Sequence, residues 1–305
     1  MKTLKILPLF LFLGQLSFPL SGQERLPIID MHMHIGAPLD LPAGAPAPCL
    51  PQPCDRKGQA TATSSENLEK TLEAMDRYNI VKGFLSDLYL NQLREWAEAA
   101  PGRFILSPFI EDPEKAASPG DLRRELEAKR LAGIGEIGAQ LVGVAPNDPR
   151  LEPYFALAEE FDVPVLIHTE GIGPPLPSFR SAAGRPLLLE EVMVGHPKLR
   201  IFVENTGYPY LDEMITMMYQ YPQLYGDVST ITWIIPRSAF YDYLKRLIEA
   251  GLGKRLMFGS DQMRWPEMIG KGIEAIEEAD FLTYKQKRDI LYNNAVRFLQ
   301  LDAKE

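Results

Sequence analysis

IIDMHMHIGAP, residues 28–38, is an apolar run that carries two histidines, His32 and His34, and then breaks at Gly36 and Pro38. The chain holds four histidines in 305 residues, so half of them stand in this one stretch. Strand side chains alternate faces, which puts His32 and His34 on the same side with Cα atoms about 7 Å apart. That is close enough for both rings to reach one cation. A lone buried histidine is most simply a hydrogen-bonded core residue. A same-face pair at the end of a strand favours metal ligation instead.

Working outward, apolar strand-like runs alternate with amphipathic helical stretches. After 28–34 the predicted strands are 80–87, 104–110, 133–138, 163–168, 199–205, 224–230 and 255–261. Ser65-Glu66 and Asp148 before Pro149 read as helix starts. Strands that alternate with helices indicate a parallel sheet. Eight such units fit one (β/α)8 TIM barrel over residues 26–302, although periodicity alone also allows a doubly wound open sheet. The polar residues decide between them. His34, Glu136, His168, Asn205 and Asp261 all fall at the C-terminal ends of predicted strands. In a barrel those ends converge on one mouth; in an open sheet they would be strung along a line.

Between Gly36 and Ser65 runs a loop of about 30 residues, rich in Pro, Ala and Gly, which leaves strand 1 at the mouth and is placed to cover it. Its CLPQPC stretch holds both cysteines, Cys49 and Cys54, and in an exported chain such a pair forms a disulfide. Export is expected from residues 1–22. Lys2 and Lys5 precede the apolar ILPLFLFLGQLSFPL, and the small Ser21 and Gly22 follow before Glu24-Arg25. That is the layout of a signal peptide, with an apolar run short of the roughly 20 residues of a membrane span. The mature protein is thus expected in the periplasm or outside the cell, not bound to a membrane. The net charge of −9 and pI of 5.2 argue against a nucleic-acid partner and leave a small molecule as the expected substrate.

Further residues join the histidine pair. His168 ends the strand VPVLIH, and Asp261 ends RLMFGSD. His196, in VGHPKL, reads as a surface residue between a helix and a strand. Asp261 has three readings: metal ligand, acceptor of a proton from water, or cap of the helix that begins near Pro266. Three neutral imidazoles and one carboxylate suit a divalent transition metal, with Zn²⁺ first in line and one ion favoured over two.

With these motifs in order and correctly spaced, the chain resembles the metal-dependent hydrolases of the amidohydrolase superfamily, in the amidohydrolase family 2 branch. The likeness runs through HMH, His168, HPKLRI, PYLDEM and FGSD, over essentially the whole mature chain. It implies a (β/α)8 barrel in which His32, His34 and His168 hold metal and Asp261 is both ligand and catalytic base. The sequence departs from the family on strand 6. Asn205 stands where a histidine is usual, and an amide accepts no proton. Strand alternation would turn the neighbouring Glu204 to the opposite face. TatD-type nucleases of the same superfamily carry a ligating glutamate in a GEIG strand like that of Glu136. A strand glutamate needs a partner when buried, so Glu136 is expected as a ligand, with an arginine partner as the alternative.

The expected chemistry is hydrolysis of an ester, lactone or amide by metal-activated water. A decarboxylase of the same branch and a binding protein on a retired scaffold are the alternatives. Glu170, Tyr208, Trp233 and Arg237, with Asn205, are the candidate substrate contacts, because they follow strands 5, 6 and 7.

Overall fold

A computed structural model describes residues 25–36, 60–173 and 176–301. The expected signal peptide, the Cys49–Cys54 pair and most of the loop after strand 1 lie outside the described residues.

The chain alternates as predicted. It runs β1 (Ile28–His34), α1 (Ser64–Tyr78), β2 (Ile80–Asp87), α2 (Leu90–Ala99), β3 (Phe104–Pro108), α3 (Pro119–Glu127) and β4 (Ile134–Ile137). Next come α4 (Glu152–Glu160), β5 (Val165–Ile167), α5 (Glu190–Gly195), β6 (Ile201–Val203), α6 (Leu211–Gln220) and β7 (Leu224–Val228). The short α7 (Ile231–Ile234), α8 (Arg237–Glu249), β8 (Leu256–Phe258), α9 (Glu267–Glu277), α10 (Tyr284–Arg288) and α11 (Asn294–Leu299) complete it. The paired strands are all parallel, in the orders β1-β2-β3 and β4-β5-β6-β7-β8. Two seams close the ring. Just past β3, Ile110 bridges to Ile137. At the other seam the Asp261 N–H donates to the His32 carbonyl at 2.7 Å. The result is the (β/α)8 barrel.

What fills the barrel explains how β1 carries the site. Ile29, Met31, Phe84, Leu166, Phe202 and Met257 form one buried cluster with Phe298 of α11. The rings of Phe84 on β2 and Phe202 on β6 stand 5.3 Å apart, a contact across the barrel that only its interior allows. These side chains plug the lower barrel, with the polar site above them. A regular strand would turn Ile29 and Met31 away from the face of His32 and His34. The β1–β2 register slips between Asp30 and Met33. That bulge adds the one residue that brings plug and histidines to the same interior.

Local caps differ by two or three residues from expectation. Thr63, not Ser65, caps α1, its hydroxyl accepting from the Glu66 N–H at 3.1 Å. Asp148 turns back onto the Arg150 N–H, and α4 begins later, at Glu152. Among the described residues no helix is long and apolar enough to cross a membrane.

His196 corrects the surface reading. It is 6 % exposed, with Nδ1 3.1 Å from Glu159 and Nε2 3.0 Å from Glu152. The proline after it marks the turn into the following strand, and sequence position carried no sign that α4 supplies two carboxylates. Burial alone would depress its pKa, but Glu152 and Glu159 outweigh that and raise it above the ordinary 6.5. A histidine raised on folding stabilises fully below its unfolded pKa, and the contribution fades as pH rises through the folded value. His196→Gln is therefore expected to lower the melting temperature most at about pH 5–6.5 and least near pH 9, read by thermal unfolding across that range.

Candidate metal centre

Four ligand atoms from three strand ends converge at the mouth. His32 Nε2 and His34 Nε2 are 3.0 Å apart, and Glu136 Oε2 lies 3.1 Å from the first and 3.0 Å from the second. Asp261 Oδ1 stands 3.3 Å from His34 Nε2 and 3.7 Å from His32 Nε2. Atoms that share a tetrahedral ion at 2.0–2.2 Å stand roughly 3.3–3.6 Å from one another, so this spacing suits a common zinc-like cation. Glu136 faces a second group with its other oxygen. Oε1 is 2.9 Å from His168 Nδ1, and Glu204 Oε2 touches the same nitrogen. Two further observations support a cation here. His168 Nε2 is buried without a hydrogen-bond partner. The sets His32/His34/Glu136, His32/Glu204/Asp261 and Glu136/His168/Glu204 each bring their ligand atoms within 4.8 Å of one another. The donors are imidazoles and carboxylates, a set suited to a divalent ion of the zinc kind.

The charges are correspondingly interlocked. Burial opposes charging His32 and His34, yet the surrounding carboxylates prevail, taking His34 up to about 10 and His32 well above its usual value. His168 is raised in the same way, against burial, by Glu204 and Glu136. Glu136 goes well below the usual carboxylate range, because the three histidines outweigh its burial. Asp261 is also lowered against burial, by His32 and His34. Burial pushes Glu204 up to about 7, and burial with Glu204 alongside pushes Glu170 well above the ordinary range.

The supports behind the ligands are built in. Asp227 Oδ2 holds His32 Nδ1 at 2.9 Å in a fully buried pair, which leaves Nε2 for the site. His34 Nδ1 is directed in the same manner by the Ser86 carbonyl at 3.0 Å. Such partners fix the tautomer of a ligating imidazole, and losing one typically weakens metal affinity 10–100-fold, by the general rule. Asp227→Asn is expected to fall in that range, measured by competition with a chromophoric chelator.

Several expectations need correcting at strand ends. Among the described residues no arginine partners Glu136; its carboxylate faces the three histidines, and its N–H takes the Ser86 hydroxyl as acceptor at 2.7 Å. Asp261 is not a cap, since α9 starts at Glu267 with no side-chain cap, and the aspartate turns into the site from a left-handed backbone, φ 46°. On strand 6 alternation fails because β6 ends at Val203. Asn205 and Thr206 then take left-handed conformations, each with φ 48°, and Glu204 reaches the site after all. Asn205 instead sits below it, fully bonded. Its Oδ1 accepts from the Ser229 hydroxyl and the Ile231 N–H, and its Nδ2 donates to Glu170 Oε2 at 2.5 Å. It positions Glu170 and does not line the cavity.

That cavity, of about 600 Å³, is bounded by His34, Glu136, His168, Glu170, Glu204 and Asp261 at the cluster and otherwise mostly by apolar side chains. Trp233, Tyr208 and Arg237 do not line it. The Trp233 indole donates to the Ser260 carbonyl at 2.9 Å, Tyr208 packs on Tyr243 at 5.0 Å, and Arg237 lies over the Tyr241 ring. Glu204, Asp227 and Thr230 are the site residues that sequence reading missed. An aspartate inside the buried strand LYGDV was the available sign for Asp227.

Fold and site together define a TIM-barrel enzyme with a metal-binding mouth. The family model for Amidohydro_2, amidohydrolase, matches residues 29–301, and the chain belongs to that family of metal-dependent hydrolases and decarboxylases acting on small molecules. No curated protein matches it. Among solved structures it is similar to an uncharacterized TIM-barrel protein of Bordetella bronchiseptica, with TM-score 0.64, 19 % identity and coverage of 90 % of this chain and 99 % of that one. A protein of Pseudomonas putida assigned as a 2-pyrone-4,6-dicarboxylic acid hydrolase follows at 0.61, 16 % identity, 90 % and 97 %. A 2,6-dihydroxybenzoate decarboxylase in complex with 2,6-dihydroxybenzoate gives 0.58, 16 % identity, 91 % and 99 %. At these identities the likeness is one of fold.

Proposed function

We propose that the protein is a hydrolase of an ester, lactone or amide bond in a small molecule, and that Asp261 is its general base. The observation that carries this reading is the double engagement of Asp261. Oδ1 faces His34 Nε2 while Oδ2 accepts from the Thr230 hydroxyl, and the residue borders the cavity. His32, His34, Glu136, Asp261 and, on the far side, His168 with Glu204 would hold a divalent cation, Zn²⁺ being the first expectation. A bound ion of this kind acidifies water and polarises a carbonyl. Asp261 would accept a proton from the attacking water, and the Thr230 hydroxyl keeps its carboxylate aimed at the mouth. Glu170, whose carboxyl burial and the neighbouring Glu204 push well above the ordinary range, borders the cavity and is placed to serve as the acid towards the leaving group.

Asn205 argues against decarboxylation in the manner of a strand-6 histidine, because its oxygen is already engaged twice and cannot take up a proton. The decarboxylase among the similar structures keeps that reaction as the second outcome of the test. Purified protein is assayed for metal content and against panels of esters, lactones, amides and carboxylic acids. Metal-dependent release of an acid supports hydrolysis; release of carbon dioxide alone replaces it with the lyase. Activity that persists after complete chelation sinks both. The residue pattern of 1–22 supports export, so this chemistry would take place outside the cytoplasm, with Cys49 and Cys54 oxidised.

A further inference from the structure

Five carboxylates border the cavity, and four of them are tied to the metal centre. Glu136, Glu204 and Asp261 lie against its histidines, and Glu170 Oε1 stands 3.9 Å from His168 Nε2. Asp87, the last residue of β2, is the fifth. Among the described residues it is the one lining carboxylate that forms no ion pair with an imidazole, lysine or arginine.

Asp87 is 8 % exposed, and a charge buried to that extent ordinarily has a partner. Its Oδ1 accepts from the Tyr89 N–H at 2.9 Å, which fixes the carboxylate on its own loop. Oδ2 accepts no hydrogen bond among the described residues, yet it is not one of the fully enclosed unpaired atoms, so it keeps an open side. Burial pushes the Asp87 pKa up from the ordinary carboxylate value, against the pull of the Tyr89 N–H and of His34. The influence of His34 puts the carboxylate at the mouth. The Asp87 carbonyl accepts from the Phe109 N–H at 2.8 Å, and the Phe109 ring stands edge-on to His34 at 5.9 Å. Leu88 and Tyr89 continue the same wall.

An anion finds no matching donor on these walls. Arg264 is the one guanidinium among the described lining residues; its Nη2 donates to the Thr61 carbonyl at 2.6 Å, and its Nη1 is enclosed. We propose that Asp87 is the specificity-determining residue of the cavity and binds a protonated nitrogen group of a substrate whose body is apolar. The proposal deepens the hydrolase reading and rests on it for the bond that is cut. The cationic N–H donates to Oδ2, a charge-assisted hydrogen bond that gives Asp87 the counter-charge its surroundings lack. Tyr89 and Phe109, beside it, are side chains of the type that attracts an organic cation. The apolar body lies along Leu88 and Ile172, and the scissile bond faces the histidine–carboxylate cluster.

The test compares benzamidinium with benzamide, its neutral counterpart of nearly equal shape, by calorimetry or ligand-observed NMR on the full-length, zinc-loaded protein. Wild type is expected to bind benzamidinium roughly tenfold or more tighter than benzamide, the scale of a charge-assisted pair. D87N keeps an oxygen that can accept from Tyr89 and is expected to bring the two affinities together, with benzamide affinity and zinc content unchanged. D87E is expected to restore part of the preference. Equal affinities in wild type overturn the proposal. A preference that survives undiminished in D87N overturns it too, and moves the cation to the carboxylates of the metal centre. Should D87N fail to fold, a crystal structure of wild type with benzamidinium decides: amidinium nitrogens out of hydrogen-bond reach of Asp87 overturn the assignment. The readout is binding, so it is separable from the hydrolase reading. Protein that holds no metal defeats that reading, while the same two ligands and D87N, compared without zinc, still decide this one.

Discussion

Asp261→Asn is expected to keep most of its metal while turnover falls about 10²–10⁴-fold, the usual worth of a general base. The geometry separates the two effects. Asparagine retains an oxygen that can remain near His34 Nε2, and the other ligand atoms of His32, His34 and Glu136 are untouched. The new amide replaces the oxygen that accepted from Thr230, and the threonine hydroxyl can rotate to accept in turn. No buried group is orphaned, so stability should change little. What disappears is the only proton acceptor that the substitution removes. Metal content by mass spectrometry of the element, together with kcat and KM, reads the result. Unchanged turnover would return the base to Glu136 or Glu204. A kcat loss at constant KM would show that the lost interaction belongs to the transition state.

How far the sequence carried the fold and the site can be seen residue by residue. His32 and His34 share a face because the slip between Asp30 and Met33 leaves the two of them in step, so the period of two holds between them. His168, Glu136 and Asp261 were legible as polar residues ending apolar strands, and the backbone closes to bring them together. Glu204 was misplaced because alternation was extended past Val203, where the strand gives way to left-handed residues. A single sequence has no strong mark for that change, since Asn205 and Thr206 are not glycines. Trp233 and Arg237 have suitable chemistry and follow strand 7, but packing turns the indole to the Ser260 carbonyl and the guanidinium to Tyr241. Nothing in the spacing of Arg264, three positions past Asp261, announces a buried donor without an acceptor. Side-chain satisfaction is a property of three-dimensional neighbours, not of pattern.

Removing the metal is expected to leave the protein folded but less stable, and to make it take up protons. Three histidines and the carboxylates of Glu136, Glu204 and Asp261 compensate one another, so stripping the ion does not leave a bare cluster of like charges. The imidazoles become the cations in its place. His34, raised to about 10, is charged at neutral pH in the metal-free protein, and the carboxylates raise His32 and His168 in the same direction. Ligating nitrogens must be neutral, so metal binding at pH 7.5 should release protons, about one of them from His34. The sign follows directly: apparent metal affinity rises with pH until it reaches the raised histidine values and falls as the solution is acidified. Calorimetry of zinc binding in buffers of different ionisation enthalpy counts the protons, and zero release would show that the histidines are neutral before the ion arrives. Metal held at a hundred times its dissociation constant adds about 2.7 kcal/mol to stability. For a chain of this size that corresponds to a rise in melting temperature of about 4–5 °C on loading. In acid the gain should shrink, because protons and the ion compete for the same nitrogens. A melting temperature that is insensitive to both chelator and pH would mean that the cluster holds no ion in solution.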